Sequence, residues 1–218
     1  MTRIAIVGGH GQIAQLLITE LVAAGHQPVA LIRKPEQSAE LEAMGAETAL
    51  LDIEAEGGER FGEIFDGADA VVFAAGGGAD GDIERKRTVD LGGSLKSIAG
   101  AGLAGVKRFV QVSSIGVDDD LPDDVDDVWK AYVEAKRDAD AALRNSDLDW
   151  TIIRPGALTD DPGTGRVEIG PSVDRGEVPR ADVAAVLAAV LDDPRTIGQQ
   201  WVLVGGSSSI DDAINALV

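Results

Sequence analysis

The stretch Arg3-Ile4-Ala5-Ile6-Val7-Gly8-Gly9-His10-Gly11-Gln12-Ile13-Ala14 decides how the rest of the chain is read. An apolar run short enough for one strand ends in closely spaced glycines. Behind them Ile13, Leu16, Leu17 and Leu21 recur at helical spacing, with Gly25 standing where a C-terminal cap belongs. Glycine at a strand-to-helix turn lets the chain reverse sharply and lets backbone N–H groups approach a pyrophosphate, whose charge the positive end of the helix dipole also favours. Gly8, Gly9, His10, Gly11, Gln12 and Ile13 are therefore expected to face the phosphates of a dinucleotide. The His10 side chain itself reads first as an exposed loop histidine.

Working outward, short β-branched runs alternate with longer helical stretches, the signature of successive βαβ units. Strands are expected at residues 4–7, 29–32, 48–51, 70–74, 109–112, 151–153 and 201–204. Helices are expected at 12–24, 36–44, 84–104, 128–145, 181–191 and 210–217, and the acid-rich segment 118–127 reads as a solvated loop. The expected architecture is α/β: a doubly wound, mostly parallel seven-stranded Rossmann sheet with helices on both faces, forming a single domain over residues 1–218. Apolar stripes such as Val183, Val186, Leu187 and Val190 are expected in the core, with an oligomeric interface as the open alternative.

Bulk properties narrow the function classes. A formal net charge of -19 opposes binding to nucleic acid or anionic membrane, and the absence of cysteine removes disulfides, thiolate metal sites and a thiol nucleophile. The longest apolar stretches, 71–75 and 183–191, are too short to span a bilayer, and the N-terminus lacks the pattern of a signal peptide, so a cytoplasmic location is expected. His10 and His26 have no carboxylate cluster of ligand spacing beside them, and no metal site is expected.

The end of the second strand bears on which nucleotide is bound. An acidic side chain there would accept from a ribose 2′-hydroxyl, but the sequence is Ile32-Arg33-Lys34-Pro35, and two cations suit a 2′-phosphate. NADP(H) is the expected cofactor. Further along, Tyr132 and Lys136 stand four apart on an expected helix and leave the same face. An ammonium near a phenol favours phenolate and brings the tyrosine towards proton exchange with a carbonyl or alcohol. Ser114, at the end of the fifth strand, is placed to hydrogen-bond the same oxygen, with Ser113 as its competitor.

With these motifs in place, the chain resembles an atypical short-chain dehydrogenase/reductase, of the small NAD(P)-binding group called epimerase-like or NmrA-like. The resemblance rests on the residue 8–14 turn, in which Ala14 replaces a last glycine. It also rests on Leu51-Asp52-Ile53, Val72-Phe73-Ala74-Ala75-Gly76, Val106 through Ser114, Tyr132-Val133-Glu134-Ala135-Lys136 and Ile153-Arg154-Pro155-Gly156. It implies that Asp52 and Ile53 flank the adenine, that Ala74, Ala75 and Gly76 pass beneath ribose and pyrophosphate, and that Ser113, Lys136 and Pro155 help to hold the nicotinamide end. It also implies a catalytic set of Ser114, Tyr132 and Lys136 acting on a small-molecule substrate. An NADP(H)-sensing regulatory or scaffold protein without chemistry is the main rival. A nucleotide-sugar epimerase or dehydratase is disfavoured, because only about 65 residues follow Ile153.

Overall fold

The computed structural model describes every residue except Ala79, Asp80 and Asp123. In chain order the elements begin with β1 Arg3–Val7, α1 Gln12–Ala23, β2 Gln27–Ile32, α2 Ser38–Ala43, β3 Glu47–Leu50, α3 Gly58–Phe65 and β4 Ala70–Phe73. There follow α4 Ile83–Arg85, α5 Gly92–Ala104, β5 Arg108–Val112, α6 Asp127–Arg144, β6 Asp149–Pro155, β7 Ala157–Thr159 and β8 Arg166–Gly170. The chain closes with β9 Glu177–Pro179, α7 Arg180–Asp192, β10 Gln199–Gly205, β11 Ser208–Ser209 and α8 Ile210–Asn215.

The main sheet runs β11-β8-β10-β6-β5-β4-β1-β2-β3. Its seven consecutive strands from β10 to β3 are all parallel and are the seven expected from sequence, in doubly wound order. Two additions make it nine-stranded: β8 lies antiparallel on β10, and β11 antiparallel on β8. A separate two-stranded parallel sheet joins β7 to β9. Residues 158–173, where no element is expected from sequence, thus contain β8, whose Val167 and Ile169 alternate inward as those of an antiparallel strand with one solvated face should.

Period-2 alternation divides the core into two layers. Ile4 and Ile6 of β1 face Leu17, Ile18 and Leu21 of α1 together with Val183, Val186 and Leu187 of α7. Ala5 and Val7 face the opposite layer, with Phe61 and Phe65 of α3, Phe109 and Leu143. Val183, Val186, Leu187 and Val190 have no solvent exposure, so this stripe is core within the chain. The expected helix 84–104 is interrupted: residues Lys86–Leu91 wind as a π-helix between α4 and α5. Single π turns inside helices recur at functional sites.

The described acidic residues of segment 118–127 are exposed, as expected of a solvated loop, but several of their carboxylates are engaged. Asp118 pairs with Arg154 and Asp119 with Arg175, while Asp126 caps α6 by accepting from the N–H groups of Val128 and Trp129. Asp123, also part of the expected loop, lies outside the described residues. No helix among the described residues is long and apolar enough to cross a membrane.

Candidate functional site

Strand order reverses between β1 and β4, and the crevice beyond their carboxyl ends is where doubly wound sheets bind ligands. Gly8 leaves β1 at φ +83°. A Cβ on it would stand 2.7 Å from the Cα of Ala75, so the β1 and β4 turns touch only because residue 8 has no side chain. Gly9 serves packing instead: its N–H donates to the Leu31 carbonyl, and a Cβ there would meet that of Ala30 at 2.6 Å. Gly11 caps α1 without any side-chain acceptor, leaving the first N–H groups of that helix to solvent or a ligand. Gly8→Ala is expected to force a left-handed alanine into the Ala75 backbone. NADPH affinity measured by calorimetry should then fall by at least tenfold, about 1.4 kcal/mol.

A cavity of about 240 Å³ extends from this turn. Gly8, His10, Gly11, Arg33, Asp52, Ile53, Ala74, Ala75 and Gly76 all line it, so the structure brings together nine of the residues expected around the nucleotide. The small side chains of Ala74 and Ala75 leave room for a flat ligand against backbone. The Asp52 carboxylate is engaged locally, accepting from the N–H groups of Glu54 and Ala55. His10 reaches Glu40 at 3.1 Å.

Besides Gly9, three contacts expected at this end of the nucleotide lie elsewhere. Lys34 is exposed and lines no part of this cavity; it begins the short turn that leads to α2. The second cation on the cavity wall is Arg85, which approaches from α4 across the crevice. Glu54 stands between the two arginines, 3.7 Å from Arg33 and 3.9 Å from Arg85. Gln12 turns away towards Asp160, and the Ile13 side chain packs on the core, leaving its backbone as the part available to a phosphate.

The loop after β4 continues into a second cavity of about 590 Å³. Ser113, Ser114, Tyr132 and Pro155 line it, along with Lys86, Trp129, Leu158 and Arg180. The two adjacent serines separate here. Ser113 is buried and its hydroxyl donates to Asp140 at 2.8 Å, whereas Ser114 is partly exposed on the cavity wall. Trp129 tilts over Tyr132 with ring centroids 5.3 Å apart.

Lys136 lines neither cavity. It is buried behind Tyr132, with Nζ 6.0 Å from that ring's centre and 5.9 Å from Phe73's. It donates to the Val112 carbonyl at 3.2 Å and lies 3.3 Å from Asp90 Oδ1. Burial by itself would push the ammonium's pKa down, but Asp90, with Tyr132 and Asp140, outweighs it and holds the pKa above the ordinary lysine value. The other oxygen of Asp90 accepts from the Gly77 N–H at 2.8 Å. One carboxylate on the π turn thus fixes both Lys136 and the loop between the cavities. Beneath them Asp140 accepts from Gln111, Ser113 and Arg154.

Sequence reading missed Arg85, Lys86, Asp90 and Asp140. For Asp140 a signal existed: Tyr132, Lys136 and Asp140 repeat at i, i+4, i+8 on one helix face. No cluster of metal-ligating side chains occurs among the described residues.

Comparison with known proteins agrees with this geometry. The chain is 37% identical, over 99% of its length and the whole of the relative, to "Uncharacterized sugar epimerase YhfK" of Bacillus subtilis (strain 168). The solved structure of a "putative NAD-dependent epimerase/dehydratase" from Bacillus halodurans is 38% identical, covers all of both chains and superposes with a TM-score of 0.92. That of the oxidoreductase ylbE from Lactococcus lactis is 30% identical over 99% of this chain and 96% of its own, with a TM-score of 0.87. A family model described as NAD(P)H-binding matches residues 8–194, and the chain belongs to that NAD(P)H-binding family.

Proposed function

We propose that this protein is an NADP(H)-dependent oxidoreductase that reduces a small carbonyl or quinone-like compound. The observation that carries the reading is the placement of Tyr132 and Ser114 on the wall of one largely apolar cavity, with the Lys136 ammonium fixed behind the tyrosine ring. The loop after β4 lines both this cavity and the nucleotide cavity.

The reduced cofactor, when bound, supplies a hydride. The residues of this chain manage the proton and the geometry. Ser114 donates a hydrogen bond that orients the substrate oxygen, and the Tyr132 hydroxyl gives its proton to that oxygen as the carbonyl carbon is reduced. The buried charge of Lys136 favours the phenolate left behind. Lys136 is a positioning residue here, since it acts through Tyr132 and meets neither cavity.

Arg33 supports the phosphorylated cofactor, with Arg85 in the part that sequence assigned to Lys34. Titration of NADPH and NADH into wild type and Arg33→Ala tests this. Wild type is expected to bind NADPH at least tenfold tighter than NADH, about 1.4 kcal/mol, and the variant to lose most of that margin. Equal affinities in wild type would remove the assignment. The reduction itself is tested by NADPH oxidation against a panel of carbonyls and quinones. Tight cofactor binding without any turnover would defeat it.

The epimerase name of the Bacillus subtilis relative suggests a second chemistry. The cavity walls speak for a less polar substrate, because Val128, Trp129, Pro155 and Leu158 offer few of the hydrogen-bonding groups that a sugar nucleotide demands.

A further inference from the structure

The chain carries a net charge of -19, yet among the described residues the charged ones on the 590 Å³ cavity are Lys86, Arg180 and Asp126. Asp126 is occupied at the start of α6, where its carboxylate accepts from the N–H groups of Val128 and Trp129 at 3.0 and 3.1 Å. Among the described residues, that leaves two cations facing the pocket.

Lys86 is the more telling of the two. It is only 4% exposed, held on the π turn, and its ammonium donates to the Gly78 carbonyl. Among the described residues no carboxylate forms an ion pair with it. A buried charge with a carbonyl as its partner is costly, and an anion delivered to it offsets that cost. Arg180 opens α7 and does have a partner, Asp160 at 2.7 Å. The Asp160 side chain is 74% exposed, so water can solvate it when the guanidinium turns to another anion. Guanidinium groups bind carboxylates in a planar, bidentate manner.

The rest of the wall has a different character. Trp129 is 44% exposed and, with Val128, Leu158 and Pro155, presents flat apolar surface. A large exposed indole on a cavity wall is unusual unless something covers it.

We infer that the second cavity takes a flat, apolar molecule bearing a carboxylate, its ring against Trp129 and its anionic end towards Lys86 and Arg180. The inference rests on the reductase reading only for the carbonyl group at Tyr132 and Ser114; the anion site itself needs no turnover. The chemical class is then a carboxylated aromatic or quinone-like compound.

The test is calorimetric titration of two unreactive probes, 2-naphthoate and 2-naphthamide, into the full chain saturated with NADP+. The acid is expected to bind at least tenfold tighter than the amide. Lys86→Met and Arg180→Leu should each reduce that ratio threefold or more. Amide binding as tight as acid, or an unchanged ratio in Arg180→Leu, would overturn the proposal. Arg180 is partly exposed, so this variant decides the matter even if Lys86→Met fails to fold by circular dichroism.

Arg180 also lies near the start of α1, because Gln12 and Arg180 share Asp160. NADPH affinity is therefore measured in parallel. A fall in it as large as the fall in naphthoate affinity would assign the cation to the cofactor's pyrophosphate and overturn the proposal. An acid preference without reduction of any carbonyl compound would retain the anion site while removing the reductase reading. Turnover of neutral quinones without acid preference would do the reverse.

Discussion

Tyr132→Phe is expected to lower turnover of any carbonyl substrate by about 10²–10³-fold, since positioned proton donors typically contribute 10²–10⁴-fold. The ring would be kept, and with it the packing against Trp129, so NADPH affinity and melting temperature should change little. The measurement is NADPH oxidation beside a cofactor titration. A variant as active as wild type would remove Tyr132 as the proton donor and assign that role to another group on the cavity wall.

The pH profile sharpens this test. The folded-state pKa of Lys136 lies above its unfolded value of 10.5, so its contribution to stability is fully present below that value and is lost as pH rises through the folded pKa. Between pH 6 and 9 its charge is constant. A change in rate within that window then belongs to another group.

Asp140→Ala carries the largest expected effect on stability. Asp140 has no solvent exposure and gathers donors from β5, from the loop after it and from β6 through Gln111, Ser113 and Arg154. Removing it leaves a buried guanidinium facing a void, a change that costs about 3–5 kcal/mol. For a chain of this size that is a fall in melting temperature of about 6–20 °C, measured by scanning calorimetry. Arg154 retains Asp118 at 2.6 Å, which favours the lower end of the range.

Asp118 provides the contrast. The hydrogen bond from Arg154 holds its carboxyl below the usual value of 3.8, so the stability it lends exists above that pH and is lost as pH falls through the folded value. With a side chain 52% exposed, its replacement by Asn is expected to cost no more than about 1 kcal/mol. Equal losses at the two positions would contradict the buried network.

The parallel strands and the nucleotide turn were legible because each has a local signal. β-branched runs mark strands wherever they occur, and the helix after Gly11 announces itself by spacing. β8 carried a signal too, Val167 and Ile169 in alternation, but four residues between glycines are a weak pattern without the strands that pair with them. α3 was obscured by the glycines that open it, although Phe61 and Phe65 stand one turn apart.

The site is harder to read for a physical reason. Arg33 follows a strand and its direction is set by that strand, whereas Lys34 is one residue further and points outward. Arg85 reaches the same cavity from a segment more than 50 positions later, where only the fold makes them neighbours. Asp90 and Lys86 look like the polar face of an ordinary helix; they are buried because the π turn and α6 pack together there.

That π turn has a consequence for how the protein can change. Locally it is an α-helix that has absorbed one extra residue. Deleting a single residue between Lys86 and Leu91 would let the ordinary ladder close, and everything before the deletion would rotate by about 100° relative to α5. Lys86 would swing off the cavity wall while α5 kept its place in the core. A one-codon loss is thus a ready evolutionary route to a sister protein with the same nucleotide end and an altered appetite for anions.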